Sequence, residues 1–350
     1  MIEKISEKEY RDIPVNSSSS LKDFSMDRRK YYKRHILKDK KKEEDENETI
    51  AVTMGRLVET LLMEPERFDD QFYMSSCVNI PGGLMGDFIT SLARRTLKAT
   101  NKDGVVTRDF MDIAAEAHID SKYKLSLETV IGKFTGTDAE IYFNELRTVQ
   151  FNNLTVVNSD DVNNAEKIVK ELKNNFITNA IVNLETGKDF EVLNQVKVSG
   201  ISIDGLPLKA MLDKVIINHK KKTIRFIDLK CTWNVEKFFK EYYLFRRAYI
   251  QAFVYQQALI SLTQDIHSDY YKYTVELPYF LVCDSINYYS PLIYTVSEKD
   301  IEDAYNGFEA RGWKYPGVKD IITNLKWSLE NDRWDISREN FENNGHVTLK

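Results

Sequence analysis

Hydrophobic and polar positions alternate most clearly from Phe190 onward. There "FEVLNQVKVSGISIDGLPLKAMLDKVIINHKKKTIRFIDLK" is rich in Val and Ile and broken by turn signals at "DG" and "NHKKKT". This period of two predicts a β-meander of three or four strands. Helical spacing takes over in "VEKFFKEYYLFRRAYIQAFVYQQALISL", which predicts one long, aromatic-rich amphipathic helix. "YYKYTVELPYFLVCD" and "SPLIYTVS" then supply further strands, and "EKDIEDAYNGFEARGW" begins a last helical section. Upstream, "NSSSSLKDFSMDRRKYYKRHIL" places Leu21, Phe24, Tyr31 and Ile36 at near-helical spacing behind serines suited to N-caps. "TMGRLVETLLMEPERF" predicts a second early helix, capped by Thr53, carrying Leu57, Val58, Leu61 and Leu62 and closed by Pro65.

Two stretches break this regularity. Residues 38–48, "KDKKKEEDENE", are polar and mixed in charge, which predicts an exposed mobile loop. Over about 70–189 the pattern is irregular, with short helical pieces such as "AEKIVKELKNNF". Strands, then a helix, then more strands predict an α/β fold with a central mixed β-sheet flanked by helices. The expected organisation is a single domain over residues 1–350. Its core segments lie at about 15–65 and 190–335, and a large, partly helical elaboration fills about 70–189.

Composition narrows the chemistry only a little. A hydrophobic content of 42 % and charged content of 29 % describe an ordinary globular chain. The net charge of −5 lacks the basic excess that marks nucleic-acid binding, so any such contact must come from local patches. Cys77, Cys231 and Cys283 are widely spaced and too few for a four-cysteine zinc or iron–sulfur site, so no iron–sulfur cluster is expected. The opening "MIEKISEKEYRDIPV" lacks the apolar core of a signal peptide and no apolar run reaches membrane-span length. A reduced, cytoplasmic setting without membrane contact is the expectation.

Candidate chemistry gathers at "IRFIDLKCTW". Side chains alternate along a strand, so Asp228 and Lys230 share a face with Ile224 and Phe226. Across the "NHKKKT" turn, Asp213 lies four residues before the boundary at Ile217 and Asp228 four after that at Ile224, which puts the two carboxylates near one another. A divalent cation is a common way to keep two such carboxylates ionised, and Lys230 beside it would neutralise charge developing on a phosphate. The alternative at this point is a plain salt bridge of Asp213 or Asp228 with Lys230.

Four motifs in order give these residues a context. "LDKVII…IRFIDLKCT" resembles the Asp…(Asp/Glu)-x-Lys signature of the PD-(D/E)XK nuclease superfamily, in the branch of RecB, RecE and lambda exonuclease. "SSSSLKDF…RRKYY" is similar to the Ser-rich helix start of that branch, "GRLVETLL" to its Gly-x-x-x-His helix, and "YIQAFVYQQAL" to its Gln-x-x-x-Tyr helix. The matches cover the first 65 residues and about 191–262. The resemblance implies a restriction-endonuclease-like core, with Asp213, Asp228 and the Leu229 carbonyl as metal ligands and Lys230 as the catalytic lysine. Glu59 stands where histidine is usual, and implies a further Mg²⁺ ligand, with Mn²⁺ able to substitute; an ordinary exposed helix glutamate is the alternative. Glu191 or Gln195 would align with another acidic position.

Gln251 and Tyr255 would reach DNA phosphate or support the lysine, with helix packing as the plain alternative, and Arg246 and Arg247 would contact phosphate. The implied activity is a metal-dependent, phage-type exonuclease degrading double-stranded DNA ends 5′→3′ in a bacterial or phage-infected cytoplasm. The implied partners are DNA, a single-strand-annealing protein and further copies of the chain in a ring. A same-fold endonuclease and an inactive nuclease-fold DNA-binding or structural protein are the alternatives.

Overall fold

The alternating segment folds into the long strands of a seven-stranded mixed sheet. Its strands are β1 (Asn16–Ser17), β2 (Phe190–Ile203), β3 (Leu206–Asn218), β4 (Thr223–Thr232), β5 (Thr274–Val275), β6 (Tyr279–Asp284) and β7 (Leu292–Thr295). β2, β3 and β4 form the antiparallel meander, closed at one end by Asp204 and Gly205. Their φ values of 48° and 72° are the left-handed pair that a two-residue hairpin of primed type requires. β6 then joins β4 in parallel and β7 returns antiparallel, while β1 pairs parallel with β3 at Leu208 and Lys209. The architecture is therefore α/β, with a mixed central sheet flanked by helices.

The computed structural model describes residues 1–38, 50–77, 80–152 and 154–347. The charged run expected as an exposed loop lies, beyond Lys38, outside the described residues. Contacts divide the chain into two compact units, Met1–Gly55 with Ile168–Lys350, and Arg56–Lys167. The sequence expectation was one domain with an elaboration at about 70–189; the second unit here begins at Arg56 and ends at Lys167. The sheet and its core, from Leu21 to Trp334, belong to the first unit. The second holds its own core of Phe88, Leu92, Ile113, Val130, Phe134 and neighbours on helices including Gly83–Lys98 and Phe110–Asp120.

The long helix expected after the meander is broken. A 3₁₀ turn (Val235–Lys237) and a π-helix (Phe239–Phe245) precede the α-helix Ala248–Gln264. The break is at Arg247, whose φ of 56° and ψ of 42° are left-handed and end a right-handed helix. Nor is the α-helix amphipathic: thirteen of its seventeen residues are buried, so it runs as a central element against the sheet rather than along a wet surface. The predicted Thr53 cap is also displaced, because that helix spans Ile50–Met63 and Thr53 lies within it.

Candidate active site

The site forms where β3 and β4 part. Their ladder ends at Lys214↔Ile227, leaving Asp213 and Asp228 next in line on the two strands. Asp213 Oδ2 accepts the Leu229 backbone N–H at 2.9 Å, replacing the ladder bond that divergence removes. On β4, Ile224, Phe226 and Asp228 are buried together, as alternation predicts, and Lys230 lies half-buried beyond them. Ionising Asp228, which has no exposure, requires counter-charge.

That charge comes from Lys230, whose Nζ forms an ion pair with Asp228 Oδ2 and donates to the Leu229 carbonyl at 3.2 Å. The salt bridge raised as an alternative is thus present. Asp228 Oδ2 takes no hydrogen bond of good geometry and is met by the ammonium as an ion-pair contact. Asp228 Oδ1 accepts from Gln251 Nε2 at 2.5 Å, and Gln251 Oε1 accepts from Lys22 Nζ at 2.8 Å. Burial pulls the Lys22 ammonium down to about 7, with repulsion from Lys230 adding to it and the charges of Asp228 and Asp213 opposing it. Two carboxylates and two ammonium groups therefore sit in one network.

Lys22 reaches this place by local structure that the sequence encodes well. Ser17 caps the helix Ser18–Met26 in a reciprocal box with Ser20, and Asn16 Oδ1 accepts from Ser20 Oγ at 3.1 Å and from the Tyr31 hydroxyl at 2.8 Å. Pairing of β1 with β3 then seats the helix beside the sheet, where Leu21 and Phe24 are buried. Sequence reasoning missed Lys22 itself. Its signal was a lysine between two buried positions of an amphipathic helix.

Other predicted residues are placed differently. Gln251 is 8 % exposed and Tyr255 is buried with its ring edge on Phe226 at 5.5 Å, so both stand behind the carboxylates rather than on an exposed phosphate-contacting surface. Burial, with the charges of Asp213 and Asp228 nearby, raises the Tyr255 hydroxyl well above its ordinary pKa and keeps it protonated. Arg246 is exposed and Arg247 half-buried, and both precede the helix instead of lying on it. Glu191 pairs with Ile217, about 13 Å along the strand from Asp213. Its carboxylate accepts from the Tyr270 hydroxyl at 3.2 Å and lies 3.3 Å from His219 Nε2. The structure thus does not bring Glu191 to the carboxylate pair. Gln195, with a left-handed φ of 50°, stands in register opposite Asp213, between the pairs Asn194↔Lys214 and Val196↔Leu212.

Gly55 lies on the helix Ile50–Met63, where an added Cβ would come 3.9 Å from that of Cys231, ordinary contact distance. Glu59, one turn further on, is half-buried and falls in the second unit.

The donor set suits a hard cation. The carboxylates of Asp213 and Asp228 and the carbonyl of Leu229 are oxygen donors, which Mg²⁺ and Mn²⁺ prefer. Asp228 Oδ2 and the Leu229 oxygen already converge on one cationic atom, Lys230 Nζ. No group of three His, Cys, Asp or Glu side chains able to hold a metal is found among the described residues. Mg²⁺ commonly takes one or two carboxylates and completes its shell with water and substrate oxygens, so two carboxylates and a carbonyl are enough.

No family model and no curated protein matches the chain. Among solved structures it is similar to a protein from Eubacterium rectale named "Putative exonuclease", at 11 % identity and a TM-score of 0.49, over 99 % of this chain and 96 % of that one. A likeness of that degree assigns no activity, and what the site does must follow from its own side chains. No described helix is long and apolar enough to cross a membrane.

Proposed function

We infer that this chain is a metal-dependent nuclease that hydrolyses phosphodiester bonds in DNA. One observation carries the reading: two carboxylates, a backbone carbonyl and two ammonium groups converge where β3 and β4 part, and Lys230 bridges two of the oxygens. A structural ion pair needs one acid and one base. A phosphate-transforming site needs more, because it must hold a cation and also place positive charge beside the substrate.

In this reading Asp213, Asp228 and the Leu229 carbonyl would hold Mg²⁺. The bound ion would polarise the scissile phosphate and lower the pKa of the attacking water. Lys230 stands beside the same oxygens, and its ammonium would meet the phosphate oxygens of a bound substrate. Gln251 holds Asp228 in orientation and links it to the Lys22 amine. Tyr255 keeps water from the back of the carboxylates.

The finer reading is a 5′→3′ exonuclease on double-stranded ends, of the kind used in phage recombination, working as a ring with an annealing protein. Its support is the motif resemblance. Purified protein incubated with linear and covalently closed circular duplex DNA and Mg²⁺ tests it. Loss of the linear form alone, from a 5′ label inward, is the expected result. Cleavage of closed circles assigns an endonuclease instead, and DNA binding without cleavage of either form assigns a structural role.

A further inference from the structure

The segment joining the catalytic strand to the central helix carries an unusual surface. Over residues 233–246 seven side chains are exposed: three aromatic (Trp233, Phe239, Phe245), three cationic (Lys237, Lys240, Arg246) and one acidic (Glu236). Phe245 is 78 % exposed, Phe239 43 % and Trp233 42 %, whereas Phe238 and Tyr243 of the same segment are buried in the core. Clustered exposed rings of this kind mark an interaction surface rather than ordinary scatter. The net charge of this patch is positive on a chain whose total is −5.

The backbone is unusual in the same place. Phe239–Phe245 is a π-helix and Arg247 is left-handed, both conformations that cost energy and concentrate at functional sites. Trp233 lies three residues beyond Lys230, and its Nε1 donates to Glu241 Oε2 at 2.7 Å, which holds the indole by its edge and fixes its plane. Lys237 Nζ lies 4.1 Å from the Trp233 ring centre, and the Arg246 guanidinium 4.4 Å from that of Tyr242. The Trp233–Glu241 bond and the Lys237 contact draw these three side chains together, and Phe245 lies nearly one turn beyond Glu241 in the same π-helix.

We propose that this aromatic and cationic segment binds an unpaired nucleic-acid strand, with bases stacking on Trp233 and Phe245 and phosphates met by Lys237, Lys240 and Arg246. Flat rings interleaved with cations suit a single strand because its base faces are open, whereas a duplex presents backbone and edges. The inference deepens the nuclease reading and rests on it for its place beside the site. It assigns the substrate an unpaired stretch next to the scissile phosphate, so strand separation would accompany cleavage.

Fluorescence anisotropy with labelled oligothymidylate and with a blunt duplex of equal length, in EDTA to prevent hydrolysis, tests the segment. Trp233→Ala and Phe245→Ala should each weaken single-strand binding by about fivefold or more, since one stacked base contributes at least about 1 kcal/mol. Duplex affinity should stay within about twofold, Trp233→Phe should restore binding, and melting temperatures should not move. Unchanged single-strand affinity in both alanine variants, no single-strand binding by the intact protein, or equal losses on single strand and duplex would each overturn the proposal. Cleavage by the intact protein with Mg²⁺ is scored separately. Stacking without cleavage removes the nuclease reading, and cleavage with binding indifferent to the rings removes this one.

Discussion

At the scale of single residues the site is a balance of charges. Asp228 has no exposure and its carboxylate is neutralised by Lys230, so Lys230→Met leaves a buried charge with one hydrogen bond from Gln251 and no counter-ion in contact. Breaking one side of a buried pair costs about 3–5 kcal/mol, and thermal melting without added metal should show the variant destabilised by that order. Mg²⁺ should then raise its melting temperature more than that of the unaltered protein, where the ammonium competes for the same oxygens. Equal melting of the two proteins without metal would contradict this account of the pair. Asp213, Asp228 and Lys230 were legible in the sequence because a period of two and symmetric offsets about a turn are local rules. Lys22 was not: its partner Gln251 lies 229 residues away, and no spacing encodes that meeting. Glu191 was misplaced because counting residues from the start of the meander does not show that Gln195, not Glu191, stands across from Asp213.

At the scale of elements, a buried lysine adds a clamp between the N-terminal segment and the sheet, beside the backbone pairing of β1 with β3. Lys209 on β3 is 7 % exposed and its Nζ donates to the carbonyls of Tyr10 at 2.7 Å and of Arg11 and Ile13 at 2.8 Å each. This clamp lies where β1 pairs with β3, just ahead of the helix that carries Lys22. Lys209→Met should cost about 2–4 kcal/mol, because three carbonyls lose a charged donor. Hydrogen exchange should speed up over residues 6–26 more than in β3 and β4; uniform acceleration, or none, would count against a local clamp. The meander was readable from alternation and its turns, and the capped helix from its serines. The break at Arg247 was not, since a helical pattern of apolar residues continues through it and only the backbone angles reveal the π-helix and the left-handed turn.

At the scale of the whole molecule, the chain divides into two compact units, and the second is tied together partly by charge. Arg95 bonds Asp120 at 2.8 and 3.0 Å and also pairs with Glu116, joining the helices Gly83–Lys98 and Phe110–Asp120. Arg95 and Ser91 lower the Asp120 carboxyl from 3.8 to about 2. A carboxylate whose folded pKa is depressed stabilises above its ordinary value and loses that contribution as pH falls through the lowered one. The group is largely exposed, so the contribution is below about 1 kcal/mol. The stability difference between the intact protein and Arg95→Met should therefore be present at pH 6, shrink below pH 4 and vanish near pH 2; a difference independent of pH would contradict the assignment. The boundaries of this unit were not legible, because the helix Ile50–Met63 runs continuously across one of them and the helix Ser159–Asn174 across the other. The nuclease proposal rests on Asp213, Asp228 and Lys230 forming a working site. The most direct measurement is the rate at which linear duplex DNA is hydrolysed by the intact protein and by Lys230→Ala, each with Mg²⁺ and with EDTA. Hydrolysis by the intact protein with Mg²⁺ alone, reduced at least about a hundredfold by the substitution, is predicted from the usual size of a lost electrostatic contact. Hydrolysis that survives EDTA or the loss of Lys230, or none under any condition, would contradict it.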